Sequence, residues 1–164
     1  MNEITDDFGN WLAGFTDGEG HFQIAKQNGS NPRTNYKCRF RIGLRDDDKA
    51  ILEEIHYALG IGTISANPIR DKHNGQPQTR FCVNALDECA ELMKLFDRYP
   101  LRAKKQQDFE VWKLAVAELL KPRRCRDADL LEYYFLKIKE VRKYEKQVEI
   151  SRPITIDVQL TIRF

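Results

Sequence analysis

Apolar and polar positions alternate along most of the chain with periods that define its elements. Thr5, Asp6 or Asp7 caps a first helix that runs to about Gly18, with Leu12, Ala13 and Phe15 suited to burial. Residues 21–27 then put Phe22 and Ile24 on one face and His21, Gln23 and Ala25 on the other. A turn-rich segment over 28–32 leads to a cleaner strand from Tyr36 to Ile42. There Tyr36, Cys38, Phe40 and Ile42 face one way and Lys37, Arg39 and Arg41 the other. This pattern predicts a half-buried antiparallel hairpin with a cationic outer face. Asp46 or Asp47 caps a second helix with an Ile51, Leu52, Ile55 and Leu59 stripe, closed by Gly60. A second strand pair follows, from Ile61 to about Arg70 and from Gln78 to Asn84, around the turn at 71–77. Helices are expected over 87–97, over 104–120 (Phe109, Trp112, Leu114, Val116) and from about Ala128 to Lys146 (Leu131, Phe135, Ile138, Val141).

The strand–strand–helix unit thus occurs twice after an opening helix, and no low-complexity tract divides it. One α+β domain over 1–149 is expected. The segment 150–164 alternates most regularly of all, from Ile154 to Phe164, and stands apart as a C-terminal strand or tail. An uncovered apolar strand invites edge pairing, so it is expected to be docked.

Composition narrows the function classes. At 164 residues, 41% hydrophobic and 32% charged, the chain suits one soluble globular domain. No apolar run approaches the roughly 20 residues of a membrane span, and none at the N-terminus resembles a signal peptide. A location in the cytoplasm, or inside an organelle such as a mitochondrion or chloroplast, is expected. Cys38, Cys82, Cys89 and Cys125 show no CxxC spacing, and His21, His56 and His73 make no HExxH or zinc-finger pattern. The net charge of +2 is small, but its distribution is polar. Residues 1–20 carry Glu3, Asp6, Asp7, Asp17 and Glu19 without a base; residues 21–45 carry Lys26, Arg33, Lys37, Arg39, Arg41 and Arg45 without an acid. A cation-binding end beside a polyanion-binding surface fits this division.

The stretch from Trp11 to Gly20, WLAGFTDGEG, is the most informative. Gly14 and Gly18 share one helical face, which lets another helix approach closely. Each costs about 1 kcal/mol against alanine in a helix interior, so the pair needs a reason. Asp17 and Glu19 fall at the helix C-terminus, where its field disfavours carboxylates and a bound cation reverses the sign. The string from Leu12 to Gly20 resembles the signature of the LAGLIDADG homing endonucleases, and the resemblance covers roughly residues 8–120.

That resemblance implies the LAGLIDADG homing-endonuclease fold, αββαββα plus C-terminal helices, whose twisted four-stranded antiparallel sheet forms a DNA-binding saddle. With one motif per chain it implies a homodimer joined through Trp11, Ala13, Gly14, Asp17 and Gly18. It implies Glu19 as the catalytic metal-binding acid and the Gly18 carbonyl as a further ligand. Asp17 is placed in the same site with a mainly structural role. Lys104, with Lys105 close behind, resembles the family's basic position. Mg²⁺, with Mn²⁺ as a substitute, suits such oxygen ligands. The implied activity is metal-dependent hydrolysis of both strands of a long pseudo-palindromic double-stranded DNA site, leaving cohesive ends with 3′ overhangs. The chain departs from the family at Leu44, which aligns with a polar water-orienting position.

The candidate DNA surface follows the hairpins: Gln23, Lys26, Asn28, Asn31, Arg33, Asn35, Lys37, Arg39 and Arg41 in the first, and Arg70, Lys72, His73, Asn74, Gln76, Gln78 and Arg80 in the second. Arg, Lys, Asn and Gln read base edges in the major groove, which admits a two-stranded ribbon. The alternative on the same fold is a non-cleaving nucleic-acid binder, a splicing maturase or regulator. Another nuclease class is disfavoured, because the Asp47-Asp48-Lys49 triplet begins a helix and no HNH pattern surrounds the histidines. A purely structural dimer leaves Glu19 and the cationic hairpins without a purpose.

Overall fold

The computed structural model describes residues 1–28, 31, 35–67 and 77–143. The expected segment 150–164 and the boundary at 149 lie outside the described residues. Helix α1 (Asp6–Glu19) opens the chain, with Thr5 as its cap: the hydroxyl accepts the Phe8 amide at 3.3 Å. Strands β1 (Gly20–Lys26) and β2 (Tyr36–Arg45) follow, then a 3-10 turn (Asp46–Asp48), α2 (Lys49–Leu59), β3 (Thr63–Asn67), β4 (Gln78–Val83), α3 (Leu86–Arg98), α4 (Lys105–Leu120) and α5 (Ala128–Glu140). The strands form one antiparallel sheet in the order β1-β2-β4-β3, so β1 and β3 are its edges.

The predicted parity holds along β1, β2 and β4. Phe22, Ile24, Cys38, Phe40, Ile42, Phe81 and Val83 are buried beneath the helices. The Phe22 ring lies 5.0–5.7 Å from those of Phe40, Phe96, Phe109 and Trp112, so β1 and β2 meet α3 and α4 in one aromatic cluster. Among the described residues, no helix covers the opposite face, which holds the polar row.

Four expectations change. Neither Asp46 nor Asp47 caps α2; both sit in the 3-10 turn, and α2 starts after Asp48 without a side-chain cap. The Asp46 carboxylate is taken by the Thr79 hydroxyl at 2.5 Å and Asp47 by Arg45 at 2.6 Å, which draws them away from the helix amides. Leu114 is 50% exposed rather than core, because the buried arc of α4 runs through Asp108, Phe109, Trp112, Ala115, Val116 and Leu119. Strand β3 spans Thr63–Asn67, starting after Gly62, whose φ is +83°. Helix α5 ends at Glu140 rather than Lys146.

Gly9 marks the tightest packing of α1. A Cβ there would lie 2.4–2.6 Å from the Tyr99 ring. That ring cannot swing away freely, because its hydroxyl donates to Asp6 Oδ1 at 2.6 Å and the residue is 5% exposed. Gly9→Ala is expected to destabilise the fold by about 1–3 kcal/mol, a fall in Tm of roughly 3–10 °C for a chain of this size, read by thermal melting. An unchanged Tm would show that α1 can move off Tyr99.

Candidate active site and nucleic-acid interface

The joint between α1 and β1 builds the site. The chain passes from helix to strand at Gly20, whose amide donates to the Thr16 carbonyl. A Cβ on Gly20 would lie 2.5 Å from Thr16 Cγ2 and 2.7 Å from Thr16 O, so only glycine permits this close joint. Glu19 is thereby presented at the last residue of α1. It is exposed, and among the described residues it has no hydrogen bond or ion pair. No basic residue stands in the last turn of α1 to offset its carboxylates. The Gly18 carbonyl belongs to that final turn, where the helix supplies no amide partner.

Asp17 points inward instead. Its Oδ2 accepts the amides of Arg102 at 2.7 Å and Ala103 at 3.1 Å. The acid thus fixes the turn that launches α4 and, with it, the basic pair. Lys104 and Lys105 then diverge. The Lys104 ammonium donates to the Lys143 carbonyl at 3.3 Å, in a cleft shared with Gln107, Lys137 and Glu140. Lys105 is half-buried, and its charge acts on His21, two residues past Glu19. The two ammonium groups thus differ in surroundings, Lys104 reaching the end of α5 and Lys105 acting on the start of β1. Burial first, then Arg142, Arg41 and Lys105, hold the His21 imidazole below the ordinary histidine range, opposed by Asp108.

The outward face of α1 is uncovered. Nothing lies within 4 Å of a Cβ built on Gly14 or on Gly18. Trp11, on the same side, is 41% exposed and stacks on Phe15 with ring centroids 5.2 Å apart. Ala13 is different: at 4% exposed it is already covered within the protomer. It lines a groove of about 280 Å³ with Asn10, Gly14, Asp17, Pro100 and Arg102.

On the free face of the sheet, register sets residues from different strands side by side. His21, Arg41, Cys82 and Thr63 make one row across all four strands. Gln23 lies opposite Arg39, Ala25 opposite Lys37, and Gly43 opposite Arg80, which in turn faces Ser65. The Arg41 guanidinium donates to the Gln23 side chain, while the Nε atoms of Arg39 and Arg41 have no partner among the described residues. Gln78 closes this surface next to Arg45.

Lys26 does not join it. It shares the parity of Phe22 and Ile24, and its ammonium pairs with Glu132 on the helical side at 2.5 Å. Leu44 likewise packs against the core, so the free-face residues near the joint are Gly43 and Arg45. Arg45 is ion-paired with Asp47 at 2.6 Å. Asn28, Asn31 and Asn35 sit at the end of the first hairpin. Arg33, Arg70, Lys72, His73, Asn74 and Gln76 lie outside the described residues. Sequence reasoning missed Cys82, Thr63 and Ser65, although the parity of Gln78 and Arg80 points to Cys82. It also missed Arg142, which no local signal announces.

Among the described residues, a cationic sheet face that no helix covers begins beside a carboxylate without a partner. The chain belongs to the LAGLIDADG endonuclease family, whose profile matches residues 12–116. It is similar to the LAGLIDADG meganuclease I-AabMI, whose structure was solved bound to uncleaved DNA, with 31% identity and a TM-score of 0.56 over 66% of this chain and 35% of that one. It is 28% identical over 155 residues to the probable intron-encoded endonuclease Cox1-I1b of Schizosaccharomyces pombe, covering 94% of this chain and 37% of the relative. It is 30% identical to the uncharacterised mitochondrial protein RF1 of Saccharomyces cerevisiae, over 77% of this chain and 25% of the relative. The chain thus spans about a third or less of the curated relatives it matches. Among the described residues, no helix is long and apolar enough to cross a membrane.

Proposed function

We propose that the protein is a site-specific homing endonuclease that hydrolyses both strands of a long pseudo-palindromic double-stranded DNA site. One observation carries the reading: Glu19 stands unpaired where the uncovered glycine face of α1 meets the cationic sheet. Two protomers joined at Gly14 and Gly18 place two such acids at one two-fold axis, each near one DNA strand. The sheets then extend outward along the groove. Lys37, Arg39, Arg41 and Arg80 contact phosphates and base edges, and Gln23 and Gln78 add further base contacts.

Among the described residues no three His, Cys, Asp or Glu side chains gather to hold an ion. Glu19 and the Gly18 carbonyl would hold a divalent cation, whose remaining ligands would come from outside this chain. The donors fit Mg²⁺ or Mn²⁺, being hard oxygens at a helix end whose field favours a cation. Such an ion, when bound, generates a nucleophilic hydroxide and stabilises the leaving oxygen. Lys105 stabilises charge developing on the phosphate. Asp17 holds the α4 turn in place for it. The mitochondrial yeast relative supports an organellar site of action, in the mitochondrion.

The test is cleavage of a randomised long-site DNA library with Mg²⁺, with an EDTA control and sequencing of the ends. Cutting at one extended pseudo-palindrome with cohesive ends, absent in EDTA, is the expected outcome. Site-selective binding without cuts would assign the non-cleaving reading instead.

A further inference from the structure

We propose that Arg142 is a positioning residue for this cleavage site, setting Lys105 relative to Glu19; the inference rests on the endonuclease reading above. Arg142 follows the end of α5 and lies beyond residues 12–116, the part the family profile covers. Its guanidinium bonds to two different elements. Nε donates to Asp108 Oδ2 at 2.9 Å, and an Nη group donates to the Phe22 carbonyl. Asp108 lies one turn after Lys105 on α4. Phe22 lies three residues after Glu19 on the edge strand β1. One side chain therefore sets the spacing between the segment that carries the base and the segment that follows the acid.

The tie is shielded and directional. Asp108 is 6% exposed, so its carboxylate depends on this partner more than a surface acid would. A planar guanidinium can hold two acceptors in fixed directions, which an ammonium cannot. A second tie runs alongside, from the Lys104 ammonium to the Lys143 carbonyl at 3.3 Å. From the other side Asp17 holds the amides of Arg102 and Ala103. Asp17, Lys104, Lys105, Asp108 and Arg142 line one cleft of about 280 Å³. The start of α4 is thus braced by α1 on one side and by the end of α5 on the other. Losing the second brace frees Lys105 to shift, and a misplacement of about 1 Å in such a site costs on the order of 10²-fold in rate.

The test uses full-chain Arg142→Ala, Arg142→Lys and the pair Asp108→Asn with Arg142→Gln. Single-turnover cleavage in Mg²⁺ and DNA affinity in EDTA are measured for each, with a thermal melt. Arg142→Ala should cut about 10–100-fold more slowly, as other supporting-shell losses do, with affinity unchanged. Arg142→Lys should recover part of the rate, since an ammonium can hold Asp108 but cannot also reach Phe22. The double variant strands no buried carboxylate; it should melt near wild type yet cut as slowly as Arg142→Ala, because the two losses are one interaction. Wild-type rates in Arg142→Ala, or rate and affinity falling together with Tm, would overturn the proposal and leave the endonuclease reading intact. A wild-type protein that cuts no DNA would remove both.

Discussion

Glu19→Gln should abolish the proposed cleavage while leaving DNA binding intact or tighter. The carboxylate is exposed and has no partner among the described residues, so its loss breaks none of their bonds and the melting temperature should not fall. Binding should hold for a second reason. On the proposed reading, Glu19 would place negative charge beside the phosphates, and an amide would remove that repulsion. Catalysis is where the change acts. A metal ion contributes several kcal/mol of transition-state charge stabilisation, so losing its principal ligand should cost on the order of 10³-fold or more in rate. Single-turnover cleavage and filter binding on the same DNA separate the two effects. Cleavage within tenfold of wild type would remove Glu19 from the chemistry.

Gly14→Leu should dissociate the proposed dimer without harming the single chain. This follows from a contrast among the glycines of α1 and the joint after it. A Cβ on Gly9 or Gly20 collides with atoms of the same chain, but a Cβ on Gly14 meets nothing within 4 Å. A leucine there also removes the helix-interior cost of glycine, about 1 kcal/mol, so the isolated protomer should melt at or above the wild-type temperature. Two helices crossing at that face would instead be pushed apart by a side chain on each. Sedimentation should show monomers, and paired-strand cleavage should be lost with the dimer. A variant that stays dimeric and active would place the interface elsewhere and leave the Gly14–Gly18 face without its assigned role.

How much of this was legible before folding depended on the distance over which each signal acts. The alternation from Tyr36 to Ile42 needs only nearest neighbours, and it correctly divided the buried face from the cationic one. The end of α1 at Glu19 was equally local, since glycine and acids mark it within three residues. The same alternation argues against Lys26 as a DNA contact; counting its charge with its neighbours hid the parity it shares with Ile24. Leu114 was misread because α4 is buried over a broad arc, which blurs a 3.6-residue period. Asp46 and Asp47 have the chemistry of caps, yet Thr79 and Arg45, the former distant in sequence, claimed them. Arg142 was invisible for the strongest reason. Its partners lie 34 and 120 residues away, and no periodicity reports a contact of that span.

The rows across the free face of the sheet bear on how such a protein acquires a new target. His21, Arg41, Cys82 and Thr63 are neighbours in space yet come from four strands, and Arg41 is also bonded to Gln23 in the next row. On the proposed reading, a base step would therefore be met by a committee whose members are scattered through the gene. Swapping one member alters the hydrogen bonds offered by the next, so substitutions within a row will be epistatic and those in distant rows will combine freely. Retargeting by randomising consecutive codons would sample alternating inward and outward positions and waste half its diversity on the core. Randomising one row at a time would confine the search to the side chains that recode together.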